Sequence, residues 1–207
     1  DWVIVRENTE GEYSGAGGRV HPKLPQEVGI DVSVFTRDGI ERVMRYAFEL
    51  ALTRPKKQLT LVTKSNAQRH GMVLWDEVFE KLKHDYPGIT TDRMLVDAIT
   101  TRMVLQPQSL DTIVATNLHA DILSDLAAAL SGSLGIGPTA NINPERMFPS
   151  MFEPIHGSAF DLVGKDLANP LGAFWSCVMM LEHLQEKKGA SLLMSAIEEV
   201  CQEGRHL

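Results

Sequence analysis

Cysteine is scarce in this sequence: Cys177 and Cys201 are the only two in 207 residues. Both fall in segments with helical periodicity, which points away from a disulfide framework and towards a reducing compartment. No run of roughly 18 apolar residues occurs, which leaves no candidate for a membrane-spanning helix. The start lacks the pattern of a signal sequence, so a cytoplasmic location is expected, with no membrane partner. Basic residues are not in excess either. A formal net charge of -7 and a pI near 5.5 argue against a nucleic-acid partner, because such proteins carry a basic face to neutralise phosphates. An anionic substrate would then need positive charge supplied locally. The glycine-rich loop Gly132 to Pro138 has the spacing of neither Gly-x-Gly-x-x-Gly nor Gly-x-x-x-x-Gly-Lys-Ser/Thr, so an ordinary Rossmann or P-loop reading has no support.

What is present is an ordinary globular composition, 43% hydrophobic and 23% charged, long enough to bury a sizeable core. Trp2-Val3-Ile4-Val5 reads as a buried strand that opens the chain without a preceding Met, and the expectation is an N-terminally truncated fragment. Gly11 to Gly29 suits an extended arm or hairpin. From Asp38, the apolar residues Ile40, Val43, Met44, Ala47, Leu50 and Ala51 recur at helical spacing until Arg54-Pro55 ends the helix. Strands are predicted at Leu59 to Thr63, Met94 to Val96 and Leu110 to Thr116. Helices are predicted at Val73 to Lys83, Ala98 to Leu105, Asp121 to Leu130 and Leu171 to Gln185, with a last one capped by Ser191 and running to Glu203. Alternating strands and helices make the class α/β.

Several residues are placed where chemistry is possible. Asp121 and Asp125 stand four apart, on one helical face. In a first turn they would do no more than stabilise the helix dipole; with Asp97, which follows an apolar strand, they would make a hard-oxygen site for Mg2+ or Mn2+. Lys64 follows the strand Leu59 to Thr63 and is either a surface lysine or a group reaching into a cleft. Tyr13 ends a densely charged stretch, Arg6 to Tyr13, and is either an ordinary packed tyrosine in a solvated loop or part of a site. The stretch Phe152 to Ala159 sets His156 among small residues that would let a ligand approach the backbone.

Together these segments resemble the β-decarboxylating dehydrogenases, the family of isopropylmalate, isocitrate, homoisocitrate and tartrate/D-malate dehydrogenases. Asn117-Leu118-His119-Ala120-Asp121-Ile122-Leu123-Ser124-Asp125 is similar to the family's metal-binding signature, and Glu153-Pro154-Ile155-His156-Gly157-Ser158-Ala159 through Asn169-Pro170 to its cofactor loop. The resemblance implies an isopropylmalate/isocitrate dehydrogenase-like fold in which residues 1–132 bind substrate and dimerise and residues 133–207 form part of the NAD-binding domain. It implies that Asp97, Asp121 and Asp125 hold Mg2+ or Mn2+, with K+ as an additional ion. Lys64 would be the base for the substrate hydroxyl, Tyr13 the acid that protonates the enol after CO2 leaves, and Arg6 the clamp on a substrate carboxylate. His156, Gly157, Asp161, Leu162 and Asn169 would contact the cofactor. Asp161 favours NAD over NADP, since a carboxylate accepts from a ribose hydroxyl and repels a phosphate. Phe160 departs from the proline more usual in this loop.

The family also delivers Lys64 and Asp97 from the neighbouring subunit, so a homodimer with shared active sites is expected, and little activity from the fragment alone. Thr63 to Met72 followed by Trp75-Asp76-Glu77 looks most like the tartrate/D-malate dehydrogenases. The expected reaction is oxidative decarboxylation of D-malate to pyruvate and CO2, tartrate oxidation, or both. The alternatives are an isopropylmalate or isocitrate dehydrogenase, or a non-catalytic subunit.

Overall fold

The structure is a computed structural model that describes residues 2–204. Its centre is a four-stranded, wholly parallel sheet of β1 (Val3–Arg6), β4 (Gln58–Thr63), β5 (Thr90–Leu95) and β6 (Thr112–Ala115), in the order β1-β6-β4-β5. The helices linking these strands lie on both faces, as parallel crossovers require. Residues of alternating parity go to opposite sides. Leu59 and Leu61 of β4 and Val114 of β6 pack with α1 (Arg37–Thr53) and α2 (Gly71–Leu82), around fully buried Phe48, Trp75 and Phe79. Val62, Ile113 and Ala115 pack instead with Ile99 and Met103 of α3 (Val96–Leu105) and Ala120 and Leu123 of α4 (Asn117–Leu130). This two-sided burial explains why β4 and β6 read as apolar runs with little alternation of polarity.

Between β1 and α1 the chain makes an antiparallel hairpin, β2 (Gly11–Val20) with β3 (Val28–Val34). It carries Val20, Val28, Ile30, Val32 and Val34 largely exposed, which is the expected arm. Gly17 is needed there for close approach: a Cβ on it would lie 2.1 Å from the Ile30 carbonyl oxygen. Past α4 come a second antiparallel pair, β7 (Pro138–Asn141) with β8 (Met151–Pro154), and two helices packed on each other, α5 (Leu171–His183) and α6 (Lys187–Glu203). Two compact units divide within α4, one up to Ala127 and the other from Ala128. No helix among the described residues is long and apolar enough to cross a membrane.

Three local expectations are corrected. The strand expected at Met94 to Val96 starts earlier, at Thr90, and Val96 already belongs to α3, so Asp97 stands in a first helical turn. Ser191 caps nothing, because α6 begins four residues before it at Lys187, without a side-chain cap. The helix expected from Asp121 begins at Asn117. Its first turn therefore contains no acid, and dipole stabilisation no longer accounts for Asp121 and Asp125.

Candidate active site

A parallel sheet sends the carboxyl ends of all its strands to one edge, where ligand sites of α/β folds collect. Arg6 is the last residue of β1, Lys64 the first after β4, Asp97 the second of α3 directly after β5, and Asn117 opens α4 two residues after β6. The sheet order thus sets two groups on the same edge, one at the β1-β6 end and one at the β4-β5 end.

At the β1-β6 end, the Arg6 guanidinium is ion-paired through Nη1 with Asp121 Oδ1. It donates from Nε and Nη2 to Asn117 Oδ1 at 3.0 and 2.8 Å. Its carbon lies 5.7 Å from the centre of the Tyr13 ring, and the Tyr13 hydroxyl donates to the other Asp121 oxygen at 3.2 Å. That hydrogen bond raises the Tyr13 pKa above its ordinary value, with smaller contributions from desolvation and the Asp121 charge, so the phenol keeps its proton at neutral pH. Carboxylates hold the segment that leads from β1 into β2. Glu12 accepts from Thr116 Oγ1 at 2.8 Å and from Leu118 N at 3.2 Å, which anchors the start of β2 to the first turn of α4. Buried Glu7 accepts from the backbone of Thr9 and Glu10, and Glu10 accepts from Thr36, the N-cap of α1.

At the β4-β5 end, Lys64 Nζ is ion-paired with Asp97 Oδ1. The Lys64 ammonium holds the Asp97 carboxyl below its ordinary range, with a backbone hydrogen bond adding to the effect. Beneath this pair, Asp76 of α2 accepts from Ser65 Oγ at 2.7 Å and from Arg93 Nη1 at 2.9 Å on the same oxygen. Asp76 is buried, and its other oxygen has no partner among the described residues. His119 of α4 is also buried; desolvation lowers its pKa, partly opposed by Glu12, and its Nδ1 has no partner among the described residues.

The structure therefore brings Arg6, Tyr13 and Asp121 together, and separately Lys64 with Asp97. Asp125 lies one turn beyond Asp121 and is exposed. No group of three or more metal-ligating side chains gathers among the described residues, so one chain does not bring the three aspartates around a common point. The donors are nevertheless all carboxylates, the chemistry that suits a hard divalent ion. In the second unit, His156, Gly157 and Asp161 are exposed on the loop between β8 and α5. His156 Nδ1 lies 2.9 Å from the Gly157 carbonyl oxygen. Asp161 and Leu162 sit in a short 3-10 turn after Ala159, whose φ of +43° is left-handed. Asn169 Oδ1 accepts from Leu171 N at 3.0 Å at the start of α5. Sequence reasoning gave no role to Asn117, Glu12 or Asp76, although each lay inside a quoted stretch, because their partners come from other elements.

The family profile described as isocitrate/isopropylmalate dehydrogenase matches residues 1–206. The chain belongs to the isocitrate/isopropylmalate dehydrogenase family. It is 68% identical over 204 residues to a probable tartrate dehydrogenase/decarboxylase of Agrobacterium vitis, covering 99% of this chain and 57% of that protein. It is 50% identical over 209 residues to the decarboxylating D-malate dehydrogenase of Escherichia coli strain K12, covering 99% of this chain and 58% of that one. The crystal structure of isocitrate dehydrogenase from Methylococcus capsulatus superposes with a TM-score of 0.91 at 42% identity, covering 99% of this chain and 59% of its own. The expected family, α/β class and isocitrate dehydrogenase-like fold are borne out, and the chain spans under three-fifths of the length of these relatives.

Proposed function

We propose that the full-length protein is an NAD-dependent dehydrogenase that oxidises and decarboxylates a 2-hydroxydicarboxylic acid, with D-malate or tartrate as substrate and pyruvate and CO2 as the products from D-malate. The observation that carries this reading is the arrangement at the sheet edge: an arginine, a protonated tyrosine and an aspartate in one bonded group, and a lysine-aspartate pair in a second. Support for the substrate comes from the names of the tartrate and D-malate relatives and from Thr63 to Met72 followed by Trp75-Asp76-Glu77.

Asp121 and Asp125 of one chain, with Asp97 of a second copy, would hold Mg2+ or Mn2+, with K+ an additional ion. When bound, the divalent ion would polarise the substrate hydroxyl as a Lewis acid and NAD would accept the hydride from C2. The chain's own groups do the rest. Arg6 presents N–H donors to a substrate carboxylate, the planar match that orients it. Lys64, once its ammonium has given up a proton to solvent, would take the hydroxyl proton. Tyr13, a neutral phenol whose pKa the Asp121 bond raises further, would deliver a proton to carbon once CO2 has left. The unit up to Ala127 would carry substrate and dimer contacts, and the unit from Ala128 would contribute His156, Gly157, Asp161, Leu162 and Asn169 to the cofactor pocket. Asp161 would accept from the adenosine ribose of NAD.

The test is NADH formation by the full-length protein with Mn2+ and, separately, D-malate, tartrate, isopropylmalate and isocitrate, each repeated with Asp121→Asn. Turnover of D-malate or tartrate that the substitution abolishes is the expected result. Activity with another acid alone would keep the mechanism and move the substrate. No metal-dependent turnover of any acid would contradict the enzymatic reading.

A further inference from the structure

Asn117 stands against Arg6 in a way that neither helix formation nor capping requires. The first-turn N–H groups of α4 have other acceptors: Leu118 N donates to Glu12 and His119 N to Thr116 Oγ1. The buried Asn117 side chain is thus left for other bonds. Its Oδ1 accepts from Arg6 Nε at 3.0 Å and Nη2 at 2.8 Å, and its Nδ2 donates to the Glu10 carbonyl at 3.2 Å. The amide orientation is fixed by chemistry, since turning it over would set NH2 against the guanidinium and oxygen against a carbonyl.

We propose that Asn117 is a positioning residue that determines which edge of the Arg6 guanidinium meets the substrate carboxylate, a role that rests on the dehydrogenase reading above. A guanidinium has five N–H donors. Asn117 occupies the Nε–H and one on Nη2, and Asp121 occupies one on Nη1. One N–H on each Nη nitrogen remains for a carboxylate. Without Asn117, Arg6 would keep its charge and its bond to Asp121 but could rotate its plane and turn the Nε edge towards the ligand. The Glu10 carbonyl extends the restraint, because Glu10 directly precedes β2, which carries Glu12 and Tyr13. One amide therefore fixes the clamp relative to the proton donor. This orientation acts on substrate binding more than on proton transfer, since Asn117 touches neither Tyr13 nor Lys64 through any bond described above.

The experiment uses the full-length enzyme with whichever of the four acids it turns over, and compares KM and kcat for Asn117→Ala, Arg6→Lys and the double variant. A lost bond to a charged group predicts that Asn117→Ala raises KM about tenfold or more, with kcat changed less than about threefold. With lysine at position 6 there is no Nε edge to hold, so adding Asn117→Ala changes KM by less than about twofold. Should Asn117→Ala fail to unfold cooperatively, Asn117→Ser, too short to span both nitrogens, carries the same comparisons. An unchanged KM in the single variant, or an equal rise in both backgrounds, overturns the positioning role while leaving the dehydrogenase intact. A parent enzyme that turns over none of the acids overturns the functional reading, and the proposal with it.

Discussion

Under the proposed function, Lys64 and Tyr13 would meet opposite requirements with the same kind of partner. Each contacts an aspartate; the contact holds the Tyr13 proton in place and pairs the Lys64 charge with Asp97. Under the proposed function that pair would have to open and the ammonium lose its proton to solvent before Lys64 could act as a base. Replacing Lys64 by methionine removes the base while keeping a similar stem, and the expected result is a fall in kcat of about 10²- to 10⁴-fold with cooperative unfolding retained. Kinetics and thermal unfolding of the Lys64→Met enzyme check this, and a kcat within a few-fold of the parent would remove Lys64 from the chemistry. Arg6 differs from both in that its restraints come from a neutral amide as well as a carboxylate, so its plane and its charge are fixed by separate partners.

At the level of elements, the site depends on how strand ends are tied to helices. Asp76 on α2 receives Ser65 from the end of β4 and Arg93 from β5, and so links the two strands that deliver Lys64 and Asp97. Asp76→Ala leaves both donors without this acceptor, and the expected loss is about 1–3 kcal/mol of unfolding free energy, read from denaturant midpoints. A change below about 0.5 kcal/mol, the range of an ordinary surface substitution, would show that burying this carboxylate costs as much as its bonds return. Much of this element level was legible in the sequence: the α1 periodicity, the β-branched run of β4 and the glycine-rich arm each follow from local chemistry. What was missed has a common cause. The start of α4 was misplaced because Thr116 and Glu12, which supply acceptors to its first turn, look like a strand end and a loop acid until the fold brings them together. Of the site, Asp121 and Asp125 stood out by their spacing, Lys64 and Asp97 by following strands and Tyr13 by its charged stretch, with roles implied by the family resemblance; Asn117, Glu12 and Asp76 acquire meaning only from partners 11 to 111 residues away.

For the whole molecule, the proposed function has the active site assembled from two copies. One chain carries the Arg6, Tyr13 and Asp121 group and the Lys64 and Asp97 pair, yet does not collect the three aspartates among its described residues. The exposed valines and isoleucine of the β2-β3 arm offer an apolar surface of the kind a second copy would cover. The most direct measurement is complementation between two inactive full-length variants, Lys64→Met and Asp121→Asn, mixed by co-expression and assayed for NADH formation. In a dimer with shared sites, a mixed pair has one site that draws Asp121 from the first chain and Lys64 from the second, both intact. Random mixing makes half of the dimers mixed, each with one of two sites restored, so activity should recover to about a quarter of the parent level. If each chain instead completed its own site, every site in the mixture would carry one defect, and the co-expressed protein would stay as inactive as either variant alone.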